Sequence, residues 1–297
     1  MFTNYEATRS MVQRMRGEHK ANGKYEKNPA PRTEFTRQNP FGLPESHAEK
    51  PSVFTLPVAC DNVLVISDLH IPYHDIEAVT CALDYGKREK VNCIVINGDL
   101  IDFHQMSRFV KDPRKRSAVQ EIEASIEFLR VLRKQFKHVP IYWLFGNHDI
   151  RYEIWMKSVA PLLFMDDYYR LEDRMGLATL RVTPLVHTTI IKAGLLNIMH
   201  GHTIFRGASS PVSPARTIFM KCSESTMCGH THKISENTTT KLDGSMVTCW
   251  STGSLCELNP EYSPHANNYA HGFAHVRIKR NGYFNVQNYR IKDGKIY

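Results

Sequence analysis

The amino-acid sequence lacks any uninterrupted apolar run long enough to cross a membrane. A membrane-spanning helix needs about 20 consecutive apolar residues, so we expect no transmembrane helix and no membrane partner. Residues 1–20 also lack the central apolar region that a secretory signal requires. Together, these two absences make the cytoplasm the expected location of the protein.

Paired cysteines are also lacking. The sequence has seven cysteines, an odd number, and none of them forms a Cys-x-x-Cys pair. Zinc knuckles and dithiol redox sites are usually built from such pairs, and disulfide frameworks usually have an even count. We therefore expect buried thiols. The sequence contains no internal repeat and no feature that predicts an oligomeric state.

The overall composition is that of an ordinary globular protein. The 297 residues are 42% hydrophobic and 23% charged, which is enough to bury a sizeable core in one large domain or two modest ones. The net charge of +8 favours anionic partners, including phosphate esters and nucleic acids, without choosing between them. Histidine is abundant, with 15 residues, several of them in tight clusters.

Residues 1 to about 50 differ from the rest of the chain. One side of a short amphipathic helix is predicted to carry Tyr5, Thr8, Met11, Val12 and Met15. After Gly17 the chain is polar and interrupted by prolines, which is typical of an extended linker. The helix is either an arm that binds a partner or nucleic acid, or a helix packed on the main domain. The predicted division is 1–55 for helix and linker and 56–297 for the main domain.

From about residue 61 onward the pattern alternates between strand, loop and helix. Apolar runs at 63–66, 93–96 and 139–145 predict strands covered on both faces. Helices are predicted at about 76–89 and 117–136, and the apolar stripe of the second consists of Val119, Ile122, Ile126, Leu129, Val131 and Leu132. Further short strands are predicted at about 195–199, 225–228, 246–250, 273–279 and 283–290. Because helices punctuate these later strands more weakly, we expect a mixed sheet or a sheet sandwich.

Polar side chains follow five of these strands at the point where each strand ends. The strand ends are Ser67-Asp68-Leu69-His70, Asn97-Gly98-Asp99, Gly146-Asn147-His148-Asp149, His200-Gly201-His202 and Gly229-His230-Thr231-His232. Ligands of open α/β sheets bind beyond the carboxyl ends of the strands, so all five ends can converge on one site. Imidazole, carboxylate and amide donors without thiolate suit hard-to-borderline divalent cations.

This ordered series resembles the calcineurin-like metallophosphoesterases over about residues 60–256. The resemblance implies an α/β fold of the α+β type, a four-layer sandwich of two mixed β-sheets flanked by helices. It also implies a hydrolase of phosphate esters. Two cations roughly 3.5–4 Å apart can clamp a phosphate, activate a shared water and stabilise the leaving oxygen.

The resemblance also implies a role for each matched residue. Asp68, His70 and His232 would hold one metal, Asn147, His200 and His230 the other, and Asp99 would bridge both. A hydroxide bridging the metals would attack phosphorus. His148 would donate a proton to the leaving oxygen or stabilise the phosphoryl charge, with Asp149 orienting it. Mn²⁺ is the leading expectation for both metals, and Fe, Zn²⁺ or Ni²⁺ also suit this set of donors.

Four further residues are candidates for contact with substrate: His202, His74, His104 and Arg108. A second role is open for His202, which can instead hydrogen-bond a metal ligand. His74 and His104 can equally be solvated loop histidines. Asp102 is a candidate for bracing its loop. The basic run at 108–116, which includes Arg108, is either a rim that contacts nucleic-acid phosphates or a solvated loop.

The basic charge, the loop at 108–116 and the N-terminal arm favour a phosphodiesterase or nuclease that acts on nucleic acid or nucleotides. Two alternatives stay open. One is a phosphomonoesterase such as a phosphoprotein phosphatase. The other is a non-catalytic nucleic-acid-binding scaffold of the same fold, because the fold alone does not determine function.

Overall fold

The structure is a computed structural model that describes residues 39–44, 51–107, 117–205, 211–260 and 267–297. The chain divides into two compact units, Met1–Glu49 and Lys50–Tyr297. In the first unit the described residues 39–44 form a turn in which the side chain of Asn39 accepts a hydrogen bond from the backbone of Leu43. The predicted N-terminal helix and the basic run at 108–116 lie outside the described residues.

The second unit contains all the described strands and helices. The strands are β1 (Val53–Thr55), β2 (Asn62–Ile66), β3 (Cys93–Asn97), β4 (Ile141–Leu144), β5 (Val182–Leu185), β6 (Ile190–Ala193), β7 (Leu196–Met199), β8 (Thr226–Cys228), β9 (Ser235–Thr240), β10 (Met246–Ser251), β11 (His271–Ile278), β12 (Phe284–Lys292) and β13 (Lys295–Ile296). The α-helices are α1 (Ile76–Arg88), α2 (Ala118–Gln135), α3 (Arg151–Val159), α4 (Pro161–Phe164), α5 (Leu171–Arg174), α6 (Leu177–Leu180) and α7 (Pro214–Cys222). Short 3₁₀ helices span His104–Met106 and Asp167–Tyr169.

The strands form two mixed sheets. One has six strands in the order β1-β6-β7-β8-β10-β9, and the other has seven in the order β13-β12-β11-β2-β3-β4-β5. Strands β2 to β5 run parallel, whereas β11, β12 and β13 join the same sheet in antiparallel pairs. In the other sheet β7, β8 and β10 are parallel to one another. Strand β1 pairs with β6, so the six-stranded sheet begins within the segment 1–55 that was predicted to be helix and linker.

The order of the layers follows from the alternation of side chains along β2. Val63 and Val65 point into a core that also contains residues of β6, β7 and β8 from the other sheet. Leu64 and Ile66 point the opposite way, into a core shared with α1 and α2. Helix α7 packs on the outer face of the six-stranded sheet in a third cluster that includes Ile218. The predicted four-layer sandwich of two mixed sheets flanked by helices is therefore confirmed.

The apolar stripe predicted for α2 is only partly right. Ile122, Leu129 and Leu132 are buried, whereas Val119 and Val131 are 55% and 43% exposed. Val131 directly precedes Leu132, and one residue turns a helix by about 100°, so the two side chains cannot share one face. None of the described helices is long and apolar enough to cross a membrane.

Candidate metal centre

The site lies where strands of both sheets end side by side. Asp68 and His70 follow β2, Asp99 follows β3, Asn147, His148 and Asp149 follow β4, His200 and His202 follow β7, and His230 and His232 follow β8. Strands β2, β3 and β4 are parallel neighbours, and so are β7 and β8, so each set delivers its loops at one edge. Direct bonds join the two sheets at this edge. The backbone N–H of His230 donates to Asp68 Oδ2 at 2.9 Å, and Asn97 donates to the carbonyl of Met199 at 3.0 Å.

Five of the candidate ligands have left-handed backbone conformations. Their φ angles are 55° for Asp68, 49° for His70, 51° for Asp99, 67° for His230 and 56° for His232. A non-glycine residue in this region costs about 1–2 kcal/mol. Such strain persists when the surrounding structure overdetermines it, and it concentrates at functional sites. The local backbone is therefore shaped to aim these side chains inward.

Two glycines allow the loops to approach one another closely. A Cβ atom at Gly146 would lie 2.2 Å from Asp99 Oδ1, and one at Gly98 would lie 2.2 Å from the ring of His200. Both distances are far below van der Waals contact. Only glycine therefore fits at these two positions while Asp99 and His200 keep their places.

The first group of donors consists of Asp68, His70 and His232. The Nε2 atom of His232 lies 3.3 Å from Asp68 Oδ1 and 3.1 Å from the Nε2 atom of His70. His70 Nε2 lies 3.9 Å from the same carboxylate oxygen. Two imidazole nitrogens and one carboxylate oxygen thus face a common point.

The second group of donors consists of Asn147, His200 and His230. His200 Nε2 lies 3.2 Å from Asn147 Oδ1. Donor atoms of His200, His230 and Asp99 all fall within 4.8 Å of one another. Asp99 Oδ2 lies 3.1 Å from His200 Nε2 and 3.8 Å from His70 Nε2, so this carboxylate stands between the two groups.

Hydrogen bonds at Nδ1 orient the rings of His200 and His70 so that their Nε2 atoms face the site. The Nδ1 atom of His200 faces the carbonyl oxygen of Asn97 at 2.8 Å, and Nδ1 of His70 faces the carboxylate of Asp102 at 3.1 Å. Because both partners are acceptors, each Nδ1 carries a proton, and Nε2 of each ring faces the site, where it can hold a cation or, without one, a proton. Lone pairs of nitrogen and oxygen that converge in this way are the arrangement a divalent cation requires.

The carboxylates of the site are ionised. Burial raises the pKa of Asp68, but the neighbouring His232 outweighs it and brings the pKa to about 2. Burial also raises the pKa of Asp99, and His200 and His148 bring it well below its ordinary value. These shifts describe the protein without metal, where protonated imidazoles supply the positive charge that cations would supply.

The histidines divide into protonated and neutral rings. Burial lowers the pKa of His200, but Asp99 raises it more, to about 9. Burial and the charge of His200 lower the pKa of His230 to about 4, and the same two causes lower that of His202 to about 3. His230 therefore offers a free lone pair at neutral pH.

His148 stands at the opening of the site. Its side chain is 17% exposed, whereas that of Asp99 is 2% exposed and that of His200 is fully buried. Its ring packs edge-on against His70 with centroids 4.3 Å apart. His148 Nδ1 lies 3.0 Å from both the carboxylate and the backbone carbonyl of Asp102. One carboxylate therefore orients both His70 and His148.

The prediction that Asp149 orients His148 is wrong. Asp149 is fully buried and accepts hydrogen bonds from the backbone N–H groups of Gly146, Asp99 and Ile101 at 2.7, 2.9 and 3.1 Å. Its carboxylate therefore joins the loops after β3 and β4 instead of contacting the imidazole. Burial, and then the charge of Asp99, raise the pKa of Asp149 to about 7.

The candidates for substrate contact have different positions. The His202 ring lies 5.5 Å from that of His200, and both of its nitrogens are buried without a hydrogen-bond partner among the described residues. His74 packs against Phe128 with centroids 6.4 Å apart, and His104 begins a 3₁₀ helix. Neither belongs to a cluster of donors in the described part of the chain. Arg108 lies outside the described residues.

Two residues near the site escaped the sequence analysis. Cys256 Sγ lies 3.8 Å from Nδ1 of His232, and Arg151 donates to Nε2 of His148 at 3.0 Å. A lone cysteine carries no signal of its own. Arg151 had a weak signal, because it is a basic residue three positions after His148, at the first position of the helix that follows the turn.

The chain belongs to the calcineurin-like phosphoesterase family, whose profile matches residues 62–233, more than half of the chain. The Gene 54 proteins of Mycobacterium phages D29 and L5 are each 27% identical to it, over 178 and 180 residues, which are 58% of this chain and 69% of each relative. Among solved structures, Vacuolar Protein Sorting 29 from Cryptosporidium parvum aligns with a TM-score of 0.42 and 19% identity, covering 80% of this chain and 94% of that one. Yfce, a phosphoesterase from E. coli, aligns with a TM-score of 0.37 and 14% identity, covering 75% and 96%.

Proposed function

We propose that this protein hydrolyses phosphate esters with a pair of divalent cations, held on one side by Asp68, His70 and His232 and on the other by Asn147, His200 and His230. One observation carries the proposal: Asp99 Oδ2 lies between the rings of His70 and His200, at 3.8 and 3.1 Å from their Nε2 atoms. A carboxylate in that position can bridge two ions. Family membership supports the same reaction class.

The cations, when bound, polarise the phosphate and make a water molecule acidic enough to act as a nucleophile near neutral pH. The chain itself controls the protons. Asp102 holds Nδ1 of His148, so Nε2 of that ring is directed away from the buried carboxylates. His148 Nε2, once it has taken up a proton from solvent, would transfer that proton to the oxygen of the leaving group, while Asp102 keeps the ring oriented through Nδ1.

The finer proposal is a phosphodiesterase or nuclease that uses Mn²⁺. The net charge of +8 favours a polyanionic substrate, and the nitrogen and oxygen donors suit Mn²⁺. A phosphomonoesterase is the alternative reaction, and the relative rates on a diester and a monoester distinguish the two.

Hydrolysis of bis(4-nitrophenyl) phosphate and 4-nitrophenyl phosphate by the Mn²⁺-loaded protein tests this function. We expect turnover of the diester at the higher rate, and a loss of about 10²- to 10⁴-fold in kcat for His148→Ala, the usual contribution of general acid catalysis. His138→Ala is the matched control, because His138 is exposed on a different loop. Equal rates for His148→Ala and the unchanged protein would contradict the role of His148, and a faster monoester reaction would favour the phosphatase.

A nucleic-acid-binding scaffold is the second candidate, and the excess of basic residues supports it. A scaffold would bind DNA with a steep salt dependence and would keep that affinity in an Asp99→Asn variant. A protein that binds DNA in this way but hydrolyses neither ester with Mn²⁺ would be the scaffold instead of the hydrolase.

A further inference from the structure

Arg151, the first residue of α3, has an unusual set of partners for an arginine. Its Nη1 donates to the backbone carbonyl of Asp102 at 2.9 Å, and its Nη2 donates to Nε2 of His148 at 3.0 Å. Within the described part of the chain these are its hydrogen-bond partners, and neither of the two accepting groups is an anion. The residue is only partly exposed, and both hydrogen bonds are partly buried.

A partly buried guanidinium without an anion is costly, because arginine is charged at every physiological pH and has lost part of its hydration. Its planar fork of N–H groups matches the oxygens of carboxylates and phosphates. Arg151 can therefore bind an oxyanion, such as a phosphate, by donating two hydrogen bonds.

The position of this guanidinium beside the metal centre indicates which oxyanion it would bind. It lies one hydrogen bond beyond the ring of His148, and that ring packs against His70 with centroids 4.3 Å apart. The backbone N–H of His148 also donates to Asp99 Oδ1 at 2.8 Å. Arg151 thus adjoins the donor groups on the side where the site opens.

We infer that Arg151 binds a non-bridging phosphoryl oxygen of the substrate, and that Nη2 exchanges His148 Nε2 for that oxygen when the substrate enters. This inference rests on the proposed function, and it adds to it a binding residue outside the metal ligands. The exchange has a consequence for His148. Once Nη2 turns to the phosphate, Nε2 no longer accepts from Arg151 and is free to take up a proton from solvent and to face the oxygen of the leaving group.

The bond from Nη1 to the carbonyl of Asp102 makes the exchange easy. It anchors the guanidinium while Nη2 changes partner, so the long side chain keeps most of its order. A lysine in this position would keep the positive charge but could not donate in two fixed directions at once. The fork geometry therefore distinguishes Arg151→Lys from the unchanged protein.

Binding of inorganic phosphate to the Mn²⁺-loaded full-length protein tests the inference without requiring turnover. Isothermal titration compares the unchanged protein with Arg151→Gln and Arg151→Lys, and with Arg174→Gln as a control. Arg174 is an exposed arginine of the same helical region that contacts Tyr168. Manganese content and thermal unfolding are recorded for each variant.

We expect Arg151→Gln to weaken phosphate binding by about 10- to 100-fold, the usual effect of losing a hydrogen bond between charged groups, and to raise the KM for the ester similarly. Arg151→Lys should give a smaller loss, Arg174→Gln none, and manganese content should stay constant. If Arg151→Gln does not fold, a loss of phosphate affinity in Arg151→Lys alone supports the inference.

Two results would overturn it. Phosphate binding in either folded Arg151 variant equal to that of the unchanged protein, with only kcat reduced, would make Arg151 a residue that merely positions His148. A Mn²⁺-loaded unchanged protein that binds no phosphate would also overturn it. Weakened phosphate binding in Arg151→Gln together with an unchanged protein that hydrolyses no ester would support the inference and contradict the proposed hydrolysis.

Discussion

The protonation of His200 depends on whether a cation is present. Its Nδ1 is fixed on the carbonyl of Asn97, so Nε2 alone can bind either a proton or a metal. Asp99 overcomes the effect of burial and raises the pKa of this ring to about 9. A cation that binds here must therefore displace a proton at neutral pH.

Mn²⁺ affinity should accordingly rise with pH beyond the range of an ordinary histidine. The metal competes with a proton up to the raised pKa, so the affinity should increase by about tenfold per pH unit for each displaced proton and continue to rise from pH 6.5 to about 9. Isothermal titration in buffers of different ionisation enthalpy measures the released protons directly. If the Mn²⁺ affinity levels off at pH 6.5, no imidazole with a raised pKa competes with the metal for its Nε2 atom.

Asp102 and Asp149 are both buried carboxylates, but their contacts predict different losses. In Asp102→Asn the imidazoles of His70 and His148 lose a charged acceptor, and we expect activity to fall by about 10- to 100-fold while the fold is kept. Asp149 accepts from backbone donors of the loops after β3 and β4 and from the indole N–H of Trp143 in β4. In Asp149→Asn an NH₂ group replaces one carboxylate oxygen and faces the N–H groups that the oxygen accepted from. The free energy of unfolding should therefore fall by about 1–3 kcal/mol.

Urea unfolding and steady-state kinetics on the two variants separate these roles. A stable Asp149→Asn protein with a selective loss of kcat would restore the original prediction that Asp149 orients His148. A loss of stability in Asp102→Asn as large as that in Asp149→Asn would mean that Asp102 acts mainly as a structural link.

The candidate metal ligands could be predicted from the sequence, but the hydrogen bonds that orient them could not. Asp68 and Asp99 follow neighbouring parallel strands, so their convergence follows from the order of those strands, whereas His200 follows β7 of the other sheet and reaches them through the packing of the two sheets. The dual bond of Asp102 joins residues 70, 102 and 148 from three loops. It depends on the orientation of the rings, which no local sequence pattern encodes.

At the scale of elements, the conformation of the loops after the strands determines the geometry of the metal centre. The loop after β3 turns at Gly98, with φ of 86°, and brings the backbone against the ring of His200. Left-handed backbone and the absence of a side chain are both required there. These two requirements can be separated by experiment.

Gly98→Ala should abolish tight Mn²⁺ binding, because its Cβ would lie 2.2 Å from the His200 ring. Gly244→Ala is the matched control, since Gly244 has a similar φ of 81° and no atom within 4 Å of the added Cβ. The control should lose only about 1–2 kcal/mol through backbone strain and keep its metals. Metal analysis after gel filtration reads out both variants. Equal metal content in the two would mean that the clash with His200 is relieved by a small shift.

Eight of the described strands were predicted from the sequence, whereas β1, β5, β6, β9 and β13 were not. Strand β9 (Ser235–Thr240) consists of polar residues and exists because it pairs as an edge with β10, where the hydroxyls of Thr238 and Thr248 lie 3.0 Å apart. Strand β5 contains Pro184, which is tolerated at the edge of the seven-stranded sheet. Both depend on a neighbouring strand, so their own residues carry little signal.

At the scale of the molecule, the site exists because the two sheets pack face to face with the carboxyl ends of β2, β3 and β4 beside those of β7 and β8. The seven-stranded sheet supplies Asp68, Asp99 and Asn147, and the six-stranded sheet supplies His200 and His230. Neither sheet alone carries a complete set of donors. The register between the sheets is fixed by their shared core and by the bonds from Asn97 and His230 across the edge.

Electron paramagnetic resonance of the protein during titration with Mn²⁺ tests the bridged metal centre most directly. Since Asp99 lies between both groups of metal-binding residues, we expect the chain to take up two ions and the spectrum to become that of a coupled pair. The Asp99→Asn variant should lose this coupling. Uptake of a single ion, or two ions whose hyperfine pattern stays that of isolated Mn²⁺, would contradict the bridged metal centre.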